Sequence, residues 1–132
     1  MNIPLATYLI QFRPEFGFDQ CTEILPYLAE LGVSHVYASP LFKARAGSHH
    51  GYDACDHREL NPELGGREAF DRMVDTARAL SIGFILDLAP NHMAVSSRNR
   101  MLVDVWENGE ASRFHPVFDI DWRHPNESMR GR

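Results

Sequence analysis

The feature that most constrains the fold of this chain is the alternation of short apolar runs with amphipathic segments. Buried β-strands are predicted for 7–12 (TYLIQF), 33–38 (VSHVYA) and 84–88 (FILDL). Apolar residues at helical spacing predict helices over 19–31 and 67–80. Strand, helix, strand, helix, strand is the order of a parallel sheet with right-handed crossovers. The sequence therefore predicts an α/β fold.

The ends of the helices are predicted from residue types. Asp19 is a candidate N-cap of the first helix, and Gly32 is expected to end it in a left-handed conformation. Pro26 lies inside the helical pattern, so we expect a kink or a restart there. Gly83 is expected to cap the second helix, and 101–108 is predicted to form a short third helix.

Two polar segments follow predicted strands. The first, 39–66, is longer than loops in compact domains usually are unless they have a function, and the second covers 89–100. In parallel α/β sheets, ligands bind beyond the carboxyl ends of the strands. Because both segments leave such ends, they are predicted to lie on the same side of the sheet and to form a binding site.

The centre of the first segment has the composition of a site for a hydroxyl-rich ligand. It contains His49, His50, Gly51, Tyr52 and Asp53 in a row. A tyrosine ring can stack on the apolar face of a sugar, while aspartate and histidine hydrogen-bond its hydroxyl groups. The alternative is that these residues pack and tie down a long loop.

An acid, Asp87, lies near the end of the apolar strand that precedes the second segment. A carboxylate in the position of Asp87 must be hydrogen-bonded or paired with a cation such as an arginine, for which the sequence offers no obvious candidate. Asn91 can offer a carbonyl oxygen to calcium, and His92 can donate to a ligand hydroxyl. The alternative is that Asp87 and Asn91 only brace the turn.

Other chemistries have weaker support. Histidines and acids that could ligate zinc or iron have no compact ligand spacing and no HExxH motif; they are His49, His50, Asp53, Asp56, His57 and His92. A nucleophilic Cys55 assisted by His50 or His57 lacks an obvious activating arrangement. His35, within the second strand, is expected to be a core histidine.

Net charge argues against two classes of partner, and the cysteines indicate the compartment. The formal net charge is −5 and there is no basic block, which argues against a nucleic acid or an acidic membrane surface. Cys21 and Cys55 have no CxxC spacing and are expected to be free thiols in a reducing compartment. With no signal-like or membrane-spanning run, the expected location is the cytoplasm.

Several stretches together resemble a known family. These are TYLIQFRPEFGF, LPYLAELGVSHVYASPLFKARAGSHHGYDACDHRELNPELGG, FILDLAPNHMAV and FDIDW. They resemble the start of the maltooligosyltrehalose synthases, a branch of the α-amylase superfamily, and the resemblance covers nearly the whole chain. The segment from Asp87 to His92 is similar to the first signature of that superfamily, whereas GSHHGYD, ELGG and FDIDW are more specific to the trehalose-forming branch.

The resemblance implies an incomplete (β/α)8 TIM barrel, with the first three β-strands, their helices and long βα loops. Residues 1–132 would be the N-terminal part of the barrel, truncated after about the third strand and its following loop. The chain would contain no catalytic carboxylate, because in the family these come from later strands. The remainder of the barrel is therefore an expected partner, and the chain alone is expected to be inactive.

The resemblance also implies a substrate and a site. The substrate would be a linear α-1,4-glucan whose reducing-end linkage becomes an α,α-1,1 linkage. The residues expected to bind it are Tyr52, Asp53, His92, His50 and Asn91, with Asp87 as structural support. No metal or cofactor is expected. Two alternatives remain: an α-amylase-type hydrolase or phosphorylase fragment, and a non-catalytic remnant that binds glucan.

Overall fold

The computed structural model of the protein describes residues 3–129. In chain order its elements are β1 (Thr7–Ile10), α1 (Phe18–Glu30), β2 (His35–Ala38), β3 (Phe42–Ala44), β4 (Ala54–Leu60), α2 (Gly66–Ala79), β5 (Gly83–Leu86) and α3 (Arg100–Asn108), with 3-10 turns at Pro62–Leu64, Gly109–Ala111, His115–Val117 and Glu127–Met129. None of the helices in the described part of the chain is long and apolar enough to cross a membrane.

The predicted parallel sheet is confirmed. β2 lies between β1 and β5 and is parallel to both, so that Tyr37 is level with Leu9 on one side and with Ile85 on the other. Side chains alternate between the two faces of a strand. Val36 and Ala38 turn toward the helices and are fully buried. On the other face His35 is buried but Leu9, on the edge strand β1, is 59% exposed, so this face of the sheet is only partly covered.

One face of the sheet packs against α1 and α2. Phe18 of α1 lies between Phe12 and Phe70, with ring centroids 5.7 and 5.4 Å apart. The helical stripes that predicted the two helices point into this core, where Leu25, Leu28 and Met73 are almost fully buried. Each such side chain contributes about 1.5–3 kcal/mol to stability through removal from water.

The predicted ends of α1 are partly wrong. The residue at the N-cap position is Gly17, whose N–H is satisfied by Gln20 Oε1 at 2.9 Å. Asp19 lies in the first turn and pairs with Arg72 of α2 at 2.8 Å. Pro26 causes no break, because the buried residues on either side of it anchor the helix to the sheet. Gly32 has φ +85° and follows the helix as predicted.

The predicted cap at Gly83 is also wrong. α2 ends at Ala79, and Ser81 takes the left-handed conformation with φ +60°. Gly83 is instead the first residue of β5, where it lies against the ring of His35. A Cβ at Gly83 would be 2.4 Å from His35 Cδ2. The interpretation of His35 as a core histidine is confirmed, since only 8% of the residue is exposed.

The segment 39–66 is not one continuous loop as predicted. Its two ends pair as the antiparallel ribbon of β3 and β4, whose register is irregular. Asn61 N–H donates to Leu41 O at 2.9 Å, which extends the pairing of the ribbon by one residue on each strand. Ala94 N–H donates to Ala54 O at 2.7 Å, which attaches the ribbon to the segment after β5. Residues 45–53 connect the two strands of the ribbon. This connection carries the residues that the sequence singled out.

Candidate functional site

The two predicted segments meet at the carboxyl edge of the sheet. The Tyr52 hydroxyl donates to Asp87 Oδ2 at 2.5 Å, and His92 Nε2 lies 3.0 Å from the carbonyl oxygen of Tyr52. Asp87 directly follows β5, and its N–H donates to Ala38 O at the end of β2. The prediction that both segments lie on one side of the sheet is therefore confirmed.

Asp87 is satisfied by the Tyr52 hydroxyl group, and within residues 3–129 no arginine pairs with it. The phenol of Tyr52 donates to it, and a hydrogen bond to the same carboxylate is the main cause that raises the pKa of Tyr37 above its usual value. The pKa of Tyr52 is also raised, chiefly by its hydrogen bond to Asp87. A phenolate beside this carboxylate would face a like charge, so both tyrosines are held in the neutral form.

Tyr52 has neighbours that fix its ring and backbone. Its N–H donates to His50 Nδ1 at 3.0 Å, and the two rings stack with centroids 6.0 Å apart and planes 23° apart. Because His50 Nδ1 accepts this bond, the proton of a neutral imidazole is on Nε2. Tyr52 remains 37% exposed, which leaves part of its ring available to a ligand.

Both ring nitrogens of His92 already have partners. Nε2 faces the carbonyl oxygen of Tyr52, which can only accept, so Nε2 carries the proton of a neutral ring. Nδ1 must then accept from Asn91, which requires the amide nitrogen of Asn91 to occupy the position 3.1 Å away. A ligand hydroxyl would therefore replace one of these contacts when it binds His92.

Asp53 is engaged within its own loop. Its Oδ1 accepts from Ser48 Oγ at 2.5 Å and lies 4.0 Å from His50 Nδ1. Ser48 Oγ in turn accepts from Gly51 N–H at 3.1 Å. These bonds fit the alternative that Asp53 ties down the loop. Gly51 is required by the turn, since its φ is +77° and a Cβ there would be 2.7 Å from Pro40 O.

Two residues that contribute to the candidate site were not predicted from the sequence. Gln11 follows β1, and its side-chain amide donates to the carbonyl oxygens of His49 and His50 at 3.2 and 3.4 Å. Tyr37 of β2 is the other, since the nearby carboxylate of Asp87 raises the pKa of its phenol. Their positions in the sequence could have identified them, because Gln11 follows the carboxyl end of one strand and Tyr37 lies near the end of the next.

A cavity of about 240 Å³ is lined in part by His92. Its lining includes His57, Asn91, His92, Met101, Phe118 and Asp119. Among residues 3–129, no three histidine, cysteine or acidic side chains converge to hold a metal ion. Cys55 is buried, and burial raises the pKa of its thiol, which opposes a nucleophilic role.

Residues 18–123 match the family model described as the alpha-amylase catalytic domain. The chain belongs to the alpha-amylase family. This assignment and the parallel sheet identify the fold as part of a (β/α)8 barrel, in agreement with the fold that the sequence predicted. In such barrels the ligand site is at the carboxyl end of the strands, where Tyr52 and Asp87 meet.

The predicted similarity to the trehalose-forming branch of the alpha-amylase family is also confirmed. The chain is 39% identical over 125 residues to a putative maltooligosyl trehalose synthase of Mycobacterium tuberculosis strain H37Rv, an alignment that covers 89% of this chain and 16% of that protein. Among solved structures, maltooligosyltrehalose synthase from Arthrobacter ramosus matches with a TM-score of 0.86 and 37% identity, covering 90% of this chain and 16% of that one.

A hypothetical maltooligosyl trehalose synthase of Sulfolobus tokodaii matches with a TM-score of 0.81 and 44% identity. That match covers 86% of this chain and 16% of the other. The chain thus spans about a sixth of the length of these members of the alpha-amylase family.

Proposed function

We propose that this chain supplies one wall of a glucose site in an enzyme that converts the reducing-end α-1,4 linkage of a maltooligosaccharide to an α,α-1,1 linkage. The observation that carries the proposal is the fixed ring of Tyr52. Asp87 holds its hydroxyl and His92 contacts its carbonyl, while part of the ring stays exposed at the carboxyl edge of the sheet. The relatives named as trehalose synthases supply the substrate class.

In this proposal the residues of the chain bind and orient the sugar. The ring of Tyr52 stacks on the apolar face of one glucose unit, and His92 hydrogen-bonds a hydroxyl of that unit. Asn91 and His50 border the same glucose unit. Asp53 acts by holding the loop, because its carboxylate already accepts from Ser48.

The reacting carboxylates are proposed to lie outside residues 1–132. A retaining mechanism places a nucleophile and a general acid about 5 Å apart on either side of the scissile bond. The two acids near Tyr52 are already hydrogen-bonded, Asp87 to Tyr52 and Asp53 to Ser48. The reducing-end glucose must remain bound and attack the glycosyl-enzyme through its anomeric hydroxyl, so the complete site must exclude water.

The proposed partner is the remainder of a barrel, with residues 1–132 as its N-terminal part. The partly covered face of the sheet supports this arrangement, since parallel sheets are normally covered on both faces. Leu9 on that face is 59% exposed, and β1 and β5 are both edge strands. We also propose a cytoplasmic location, which is supported by two buried free thiols, Cys21 and Cys55.

A hybrid enzyme tests the proposed reaction. Residues 1–132 replace the matched segment of the Arthrobacter ramosus enzyme, and the product is incubated with maltohexaose. Loss of reducing ends without release of glucose is the expected result. New reducing ends would indicate an α-amylase-type hydrolase, and glucose 1-phosphate formed with added phosphate would indicate a phosphorylase.

The isolated chain tests where the reacting carboxylates lie, and the hybrid separates an enzyme from a remnant. We expect no loss of reducing ends when residues 1–132 alone are incubated with maltohexaose. Turnover by the isolated chain would contradict the proposed placement of the carboxylates. If the hybrid folds and binds maltohexaose but converts none of it, the chain is a glucan-binding remnant and the proposed reaction is wrong.

A further inference from the structure

Buried hydrogen bonds fix the carboxyl end of β1. Phe12 N–H donates to Ser39 Oγ at 2.8 Å, and Ser39 N–H donates to Ile10 O at 3.0 Å. All three residues are buried. Gln11 lies between Ile10 and Phe12, so its backbone is held on both sides. Because side chains alternate along an extended chain, the side chain of Gln11 points away from its buried neighbours and is exposed.

The side chain of Gln11 reaches the connection 45–53. Its amide nitrogen donates to the carbonyl oxygen of His49 at 3.2 Å and to that of His50 at 3.4 Å. Carbonyl oxygens can only accept, so the nitrogen and not the oxygen of the amide must face them. The amide nitrogen carries two protons, one for each carbonyl. Gln11 therefore attaches the backbone of two successive residues to the end of β1.

The connection 45–53 is also held on either side of the point that Gln11 binds. Gly47 N–H donates to the carboxylate of Glu63 at 2.9 Å, and the Tyr52 hydroxyl donates to Asp87 at the end of β5. β1 and β5 are the outer strands of the three-stranded sheet. The connection thus crosses the carboxyl edge of the sheet, with Gln11 as its attachment at β1 and Asp87 as its attachment at β5.

The backbone that Gln11 binds carries the ring that supports Tyr52. The rings of His50 and Tyr52 stack with centroids 6.0 Å apart, and His50 Nδ1 accepts from Tyr52 N–H at 3.0 Å. A histidine ring is joined to its backbone by only two rotatable bonds, so its place depends on where that backbone lies. A shift of the His50 carbonyl away from Gln11 would therefore move the His50 ring relative to Tyr52.

We propose that Gln11 is a positioning residue that holds the backbone of His49 and His50 so that the His50 ring supports Tyr52 at the glucose site. This inference rests on the proposed function for the identity of the ligand. It needs no contact between Gln11 and the sugar, because the amide acts as a donor to the protein backbone. The competing role for an exposed amide at this edge is direct binding of a sugar hydroxyl, which the experiments below separate from positioning.

The first test is NMR spectroscopy of the full chain without ligand. Gln11→Glu retains the size of the side chain but replaces the donor with an oxygen that only accepts, whereas Gln11→Lys retains a donor. We expect the nuclear Overhauser contacts between the rings of His50 and Tyr52 to weaken in Gln11→Glu and to be better preserved in Gln11→Lys. Unchanged contacts in Gln11→Glu would overturn the proposal, and equal losses in the two variants would contradict a role as a donor.

Gln20→Glu is the matched control. Gln20 is an exposed residue of α1 whose side-chain oxygen accepts from Gly17 N–H at 2.9 Å, a bond that a carboxylate can also accept. The control makes the same change in charge and should leave the contacts between His50 and Tyr52 unchanged. Thermal unfolding should be similar for Gln11→Glu and Gln20→Glu. A much lower unfolding temperature for Gln11→Glu would indicate a role in folding and contradict positioning.

Affinity for maltohexaose gives the second readout. Gln11→Glu is expected to raise the dissociation constant about two- to ten-fold, the effect of one ordinary hydrogen bond. In the His50→Ala background the same change should have a smaller effect, because Gln11 acts through His50. Effects that multiply would indicate that Gln11 contacts the sugar itself and would contradict the proposal. If the wild-type chain binds no maltohexaose, the proposed function fails, and the ligand-free spectra still decide the role of Gln11.

Discussion

The Tyr52 hydroxyl and Asp87 Oδ2 are 2.5 Å apart although the two residues are separated by 35 positions in the chain. This hydrogen bond joins the connection between β3 and β4 to the end of β5. It places an aromatic ring and a carboxylate at the carboxyl edge of a parallel sheet, where barrels of this kind bind ligands.

Asp87→Asn should lower the pKa of both Tyr37 and Tyr52 toward the usual tyrosine value. The negative carboxylate and its hydrogen bonds raise both pKa values in the wild type. A raised pKa in the folded state adds stability that is present below the ordinary tyrosine pKa of about 10 and is lost as the pH rises through the folded pKa. Phenolate absorbance during an alkaline titration measures the change. Identical titrations of variant and wild type would show that the Asp87 carboxylate does not raise the pKa of either tyrosine.

Gly51→Ala should disturb the loop that carries Tyr52. Gly51 has φ +77°, and a Cβ would be 2.7 Å from the carbonyl oxygen of Pro40, so strain and collision act together. The backbone strain alone costs about 1–3 kcal/mol. Gly47→Ala is the matched control, because Gly47 has φ +71° but open space around it. Thermal unfolding should show a larger loss for Gly51→Ala, and equal losses would contradict the role of the Pro40 contact.

Asp56→Asn should reduce stability at neutral pH and change the response to acid. Arg58 binds the Asp56 carboxylate through two side-chain hydrogen bonds and holds its pKa below the ordinary 3.8. A lowered pKa adds stability that is present above the ordinary value and is lost as the pH falls through the folded pKa. Denaturant unfolding at several acidic pH values should therefore show a smaller acid-dependent loss in the variant.

The control for Asp56 is Asp75→Asn, which removes an exposed ion pair with Arg78. Exposed pairs contribute about 0–1 kcal/mol, so this variant should be close to wild type. An acid response of Asp56→Asn equal to that of the wild type would show that Arg58 does not stabilise the folded state through this carboxylate.

Both thiols should be unreactive in the folded chain. Burial raises the pKa of the Cys21 thiol to about 12, and burial also raises the pKa of Cys55. The thiolate is the reactive form, so alkylation by iodoacetamide near pH 8 should be slow without denaturant and fast in urea. Mass spectrometry of the alkylated chain gives the rate at each cysteine. Rapid labelling of Cys21 in the native chain would contradict its burial.

The sequence predicted the parallel sheet because the spacing of apolar residues indicates the strands and helices. Their order along the chain then predicts that the two polar segments lie at the same edge of the sheet. It did not predict the ribbon of β3 and β4. β4 reads ACDHREL, and its central charges hide the alternation expected of a strand. Asp56 and Arg58 pair within the strand and satisfy each other, which allows charged residues there.

The partner of Asp87 could not be predicted for a different reason. Tyr52 reaches it only because β3 and β4 pair and bring the connection 45–53 to the end of β5. Register depends on the packing of both strands and is not contained in the local pattern. Pro26 shows the same limit, since the core contacts of α1 override the local preference for a break.

The most direct test of the glucose site is a titration of the isotope-labelled chain with maltohexaose, followed by NMR, with cellohexaose as the control sugar. We expect saturable shift changes for maltohexaose that are centred on Tyr52, Asp53 and His92, and that are lost in Tyr52→Ala. Shift changes elsewhere only, or none at these three residues, would contradict it.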